Sequence, residues 1–168
     1  MKTSLVKGLL LAQFLLAGTV QAAGSPGKAS ISSQHFLATE AGHEILEKGG
    51  NAFDAAIAVA AVLAVVEPTS SGLGGGGFWM LHRAEDNFQT MVDAREVAPA
   101  AAQQDMYLDE NGEVDRDLAR NGPLAGAIPG EVAGMEHLAT HYGRLPLSVS
   151  LQPAIRIARE GFAIDEKF

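Results

Sequence analysis

The chain has 168 residues, enough for one domain or for part of a larger one, and its 47% hydrophobic and 19% charged residues match a soluble globular protein. A formal net charge of −8 with scattered basic residues argues against nucleic acid or an anionic membrane surface as a partner. With no cysteine, it offers no disulfide, no thiolate metal site and no thiol nucleophile.

Met1 to Ala22 reads as a secretory signal. Lys2 and Lys7 give the positive start, Gly8 to Leu16 is a short apolar core, and Val20-Gln21-Ala22 places small residues where a signal peptidase cuts. The apolar run is too short to span a bilayer, so the expectation is export to the periplasm or the exterior, with residues 23–168 as the mature chain. Gly24 to Ser33 is a Ser/Gly-rich lead-in.

The spacing of Ala41, Ile45 and Leu46 predicts a helix from Thr39 to Lys48, stopped by Gly49-Gly50. Asn51 is placed to cap a second helix from Ala52 to Val66, with Asp54 in the first turn, where the helix dipole favours a carboxylate. That helix is apolar all round, which predicts burial on every side.

The chain is organised around the next stretch, Glu67 to Phe78, whose Gly74-Gly75-Gly76-Gly77 is a run of four glycines. Such a run marks a turn or a close backbone approach rather than a regular element. Phe78–Arg83 and Gln89–Asp93 then read as two strands around the polar tip Ala84-Glu85-Asp86-Asn87. A hairpin stacked on a buried helix implies a layered α/β domain. Residues 100–126 turn polar and acidic, with an Asn111-Gly112 turn in a surface excursion. Two more helices are predicted. One runs from Pro129 to Tyr142 with Val132, Met135, Leu138 and Tyr142 as its stripe; the other runs from Ser150 to Gly161 on Leu151, Ala154, Ile155 and Ala158.

Several polar groups invite chemistry. Gly72 to Gly77 formally satisfies a dinucleotide fingerprint with Asp93 downstream, but that site needs a strand before the glycines and a helix after them, and the order here is reversed. His137 and His141 have the i, i+4 spacing of a zinc pair, without the adjacent glutamate or a third ligand; a solvated helix face is the plainer account. Asp109, Asn111, Asp115 and Asp117 lack the glycine position of a calcium loop. Ser70 and Ser71 sit in no nucleophile elbow. Arg95, at a strand end between Asp93 and Glu96, fits either a bidentate clamp on a substrate carboxylate or a structural ion pair.

Six ordered stretches resemble the gamma-glutamyltranspeptidase (glutathione hydrolase) family. They are Ala38–Gly42 with Glu44–Leu46, Gly49–Ala56, Val66–Pro68 with Ser70–Phe78, Asp93–Pro99, Pro129–Gly134 and Gln152–Ala154. The resemblance implies an N-terminal nucleophile hydrolase with an αββα sandwich, made as a precursor that cuts itself into a large and a small subunit. The threonine freed at the small subunit's N-terminus is the nucleophile, with its own amine as base. It takes the γ-glutamyl group from glutathione or a related amide and passes it to water or an acceptor amine, without a cofactor. A relative acting on another amide, such as a cephalosporin side chain or a capsule polymer, is the competing enzyme account; a non-catalytic carboxylate-binding remnant of the same fold is the competitor from a different functional class.

The resemblance assigns the substrate's α-carboxylate to Arg95, with Ala94 standing where the family is often aromatic. Nothing in this chain matches the nucleophile region: Thr39, Thr69, Thr90 and Thr140 lie in other motifs or connecting segments. The expectation is therefore an incomplete αββα sandwich, the N-terminal part of a large subunit. Its partner is the small subunit of the same precursor, and it holds no catalytic residue and no metal site of its own and is inactive alone.

Overall fold

Helix α1 (Phe36–Glu47) starts three residues earlier than its apolar spacing predicts, because His35 caps it, its Nδ1 accepting the Leu37 N–H at 3.2 Å. The helix stops where expected, with Gly49 at φ +90°, a conformation glycine takes without steric penalty. The structure, a computed structural model, describes residues 29–164, and all the elements belong to a unit that begins at Ile31. The signal sequence and the first half of the lead-in lie outside the described residues.

Helix α2 (Ala52–Val66) has the predicted bounds. The Asn51 side chain accepts the N–H groups of Phe53 and Asp54 at 2.9 and 3.1 Å, and the Asp54 carboxylate accepts the Asn51 N–H at 2.8 Å. This reciprocal capping box satisfies donors that the first helical turn leaves without partners. Asp54 is fully buried and also accepts the N–H groups of Arg144 and Leu145, while Asn51 Nδ2 donates to the Tyr142 carbonyl. One cap thus fastens the start of α2 to a turn some ninety residues away.

Burial of α2 departs from expectation. Ala55, Ile57, Ala58, Ala61, Val62 and Val66 are buried, whereas Val59, Ala60, Leu63, Ala64 and Val65 are only half-buried. The helices packed on α2 are α1, α4 (Glu131–His141), α5 (Leu147–Ser150) and α6 (Gln152–Glu160), and they leave one side partly open. Ile45, Ile57, Val62, Met135 and Leu138 form the centre of the core, each contributing about 1.5–3 kcal/mol by burial. No described helix is long and apolar enough to cross a membrane.

Strands β1 (Gly77–Arg83) and β2 (Phe88–Ala94) pair antiparallel from Gly77↔Ala94 to Arg83↔Phe88. Each is slightly longer than predicted. Asn87 turns the tip at φ 54°. Alternation sends Trp79, Leu81 and Val92 toward the core cluster and leaves Phe78, Met80 and Met91 exposed on the other face. The hairpin packs on α4 through β2, where Ala94 meets Gly134, and Leu81 joins the core cluster that the buried face of α2 forms. Helices and a hairpin together give the α/β character.

The polar excursion is exposed: Leu108 bridges Val114 around Gly112 at φ +80°, then come a short helix α3 (Leu118–Asn121) and a 3-10 turn (Pro123–Ala125). Helix α4 begins at Glu131 rather than at Pro129, and Val132, expected in its apolar stripe, is exposed. The last predicted helix is observed as α6, and a short helix that the sequence did not suggest, α5, precedes it and meets it at Leu151. Pro153 at the start of α6 sets this break, since proline suits only a first helical turn. Ala158 is exposed and Ile157 packs on the core in its place.

Candidate functional site

The glycine run joins the end of α2 to the start of β1 and forms the wall of a cleft of about 610 Å³. Ser70, Ser71, Gly72, Gly74 to Gly77, Trp79, Glu96 and Glu131 line it. Two glycines bring three segments together. A Cβ on Gly76 would collide with the carbonyl oxygen of Ala94 and lie 2.9 Å from Arg95 Cα. A Cβ on Gly130 would strike the same Ala94 oxygen and lie 2.5 Å from the Arg95 oxygen. Only a hydrogen fits at either place. The N–H groups of Gly130 and Glu131 both donate to the Gly75 carbonyl, at 3.0 and 3.1 Å. The glycine run therefore supplies the acceptor for the N-terminus of α4, where no side chain caps the helix.

These contacts fix the backbone of Arg95, the residue just after β2. Its N–H donates to Asp93 Oδ1 at 3.0 Å. Its Nε lies 3.0 Å from Glu96 Oε2. That oxygen is buried and accepts no aligned hydrogen bond, so the contact is an attraction of charges with poor hydrogen-bond geometry. The Arg95 side chain is 54% exposed. Among the described residues, no hydrogen bond engages its terminal nitrogens, and with the side chain half exposed they present a planar fork. Of the two roles the sequence leaves open, the structure realises the ion pair with Glu96 while keeping the fork accessible.

Glu96 lines the cleft, whereas its neighbour Arg95 is not among the lining residues. Burial pushes the Glu131 carboxyl above the usual carboxylate range, and the nearby charge of Glu96 adds to the shift. The Trp79 indole N–H is buried without a partner, and a Cβ on Gly134 would lie 2.9 Å from it. Sequence reasoning noted Glu131 only as part of a motif and Trp79 only as an apolar strand residue. The signal for both was spatial, carried by pairing of β1 with β2 and by the packing of α4 on that pair.

Ser70 and Ser71 lie on the cleft wall. The order helix, glycines, strand is observed, the reverse of a dinucleotide site. His137 and His141 sit on the exposed face of α4, their rings stacked. Among the described residues, no group of three or more histidines and acids is arranged around a metal position. The loop at Asp109 is self-contained: its carboxylate accepts the N–H groups of Asn111 and Glu113, which holds its pKa below the usual range.

The same arrangement of helices and hairpin occurs in solved enzymes that transfer γ-glutamyl groups by name. Helicobacter pylori gamma-glutamyltranspeptidase superposes with a TM-score of 0.78 at 43% identity, covering 84% of this chain and 42% of that one. The Pseudomonas nitroreducens gamma-glutamyltranspeptidase, solved in complex with L-DON, gives 0.79 at 38% identity, covering 85% and 42%. The glutathione hydrolase proenzyme of Escherichia coli is 44% identical over 136 residues, 81% of this chain and 23% of that protein. The gamma-glutamyltranspeptidase family model matches residues 38–168. The chain belongs to the gamma-glutamyltranspeptidase family. It spans about a quarter of the length of the curated relatives it matches.

Proposed function

We propose that this chain is the part of an exported γ-glutamyl hydrolase or transferase that anchors the α-carboxylate of the γ-glutamyl group, through Arg95. The observation that carries the proposal is the half-exposed guanidinium of Arg95, held at its backbone by Gly76 and Gly130 and at Nε by Glu96. A planar fork whose terminal nitrogens are open matches the two oxygens of a carboxylate. The substrates would be glutathione and related γ-glutamyl amides. A threonine nucleophile in the small subunit of the same precursor would attack the γ-carbonyl, release the amine and form a γ-glutamyl ester. Water or an acceptor amine would then release the glutamyl group and restore the hydroxyl. Arg95 would hold the substrate at the α-carbon and take no part in the bond changes.

The exposed face of the hairpin, with Phe78, Met80 and Met91, supports a completed αββα sandwich in which a further sheet covers it. The leader at Met1–Ala22 supports export. In this account the isolated chain binds but does not cleave.

A chimera tests the proposal. Residues 38–168 replace the matching segment of the Escherichia coli glutathione hydrolase proenzyme, and cleavage of a γ-glutamyl anilide is followed. The expected result is an active chimera whose Arg95→Lys variant loses kcat/KM by about 100-fold, as for loss of a bidentate charged contact of about 3 kcal/mol. A chimera that matures without activity, or a lysine variant with full activity, would overturn it. So would cleavage by the isolated chain.

A further inference from the structure

We propose that His137 and His141 form a surface site for a borderline divalent transition cation, with Cu2+ bound more tightly than Zn2+. The two residues lie one turn apart on α4 and both are exposed. Their rings stack face to face, with centroids 4.1 Å apart at 28°, and because both are exposed, one imidazole is free to turn so that the in-plane Nε2 lone pairs of this i, i+4 pair meet at one ion. The Nδ1 of His141 is 2.9 Å from the His137 carbonyl oxygen. A carbonyl can only accept, so Nδ1 carries the hydrogen in that contact, and Nε2 keeps its lone pair. A metal-binding histidine is oriented in this way: one ring nitrogen donates to a backbone carbonyl and the other faces the ion.

Tyr142 packs beside both rings, with centroids 6.0 and 6.4 Å away. No third histidine or acid joins the pair among the described residues, so water completes the coordination. A site of two imidazoles and water ranks metals by the Irving–Williams order, which places Cu2+ first. The net charge of −8 favours any cation. Acid releases the ion, because protons compete for the same nitrogens.

Calorimetric titration of the whole chain with Cu2+, and separately with Zn2+, reads the site directly. One ion per chain is expected, with Cu2+ the tighter. His137→Ala and His141→Ala should each weaken Cu2+ by at least about tenfold, while His43→Ala, an exposed histidine on α1, changes nothing. Equal affinity in both site variants, or an equal loss with His43→Ala, overturns the proposal. Electron paramagnetic resonance of the unsubstituted chain keeps the test independent of folding. Hyperfine structure from two imidazole nitrogens supports the site, and structure from one or none refutes it.

Discussion

Gly76 and Gly130 close on one atom, the carbonyl oxygen of Ala94, and neither leaves room for a methyl group beside it. The two come from different segments, the glycine run and the lead into α4. What they pin between them is the peptide that carries Arg95.

Alanine at either glycine should therefore destabilise the chain by about 3 kcal/mol, the upper end of ordinary overpacking, because the obstructing atom is backbone and cannot rotate away. The double variant should cost less than the sum of the two, since the first methyl already displaces the shared peptide. Urea unfolding of the three variants measures this. A loss below about 1 kcal/mol in the single variants would mean that the peptide is not held.

Asp54 is the second fixed point. Its replacement by alanine leaves the part-buried N–H groups of Asn51, Arg144 and Leu145 without this acceptor, which should cost about 2 kcal/mol. The Asp54→Asn change should be milder. One amide oxygen can still serve Asn51 and Arg144, both bound to Oδ2, and only the long 3.3 Å contact from Leu145 to Oδ1 is lost. Thermal unfolding should rank the chains wild type, Asp54→Asn, Asp54→Ala, from most to least stable. Equal midpoints for wild type and Asp54→Ala would show that the cap does not hold the turn.

Glu44 links α1 to α6 through Arg156, at 2.6 Å, and to Lys48. The hydrogen bond from Arg156, then that from Lys48, lowers its pKa from 4.5 to about 2. A carboxyl depressed in the folded chain stabilises it fully above pH 4.5, and that contribution is lost as the pH falls through 2. The groups are partly exposed, so the amount is about 0.5 kcal/mol. Stability measured between pH 5 and pH 2 should fall less steeply in Glu44→Gln than in the wild type. Parallel curves would refute the linkage.

Ser150 is fully buried and its hydroxyl has no partner. An unsatisfied buried hydroxyl carries a desolvation cost with nothing to offset it. Ser150→Ala should therefore leave the midpoint of thermal unfolding unchanged or raise it. A clear drop would show that the hydroxyl is engaged.

Local signals in the sequence were enough for several elements. Asn51 with Asp54 wrote the start of α2, and the polar tip between two apolar runs wrote the hairpin. Gly49 ended α1 as its position implied. Arg95 stood out because an arginine at a strand end, with acids beside it, suits a carboxylate clamp or an ion pair, and the family resemblance gave it a role. Long-range relations were not legible. Nothing near Asp54 points to Arg144, and nothing near Trp79 points to Gly134. The exposure of Val132 and the half-open side of α2 depend on which neighbours are present, and periodicity carries no such information. Glu131 was hidden for the same reason: it meets the cleft only because the Gly75 carbonyl caps α4.

The claim that Arg95 anchors a carboxylate can be read by nuclear magnetic resonance on this chain. Glutathione is titrated into 15N-labelled protein beside an analogue whose glutamyl α-carboxylate is an amide. The account predicts amide shifts at Ala94 to Glu96 with glutathione, absent with the analogue and lost in Arg95→Gln. Equal shifts from both compounds, or shifts that survive in Arg95→Gln, would contradict it.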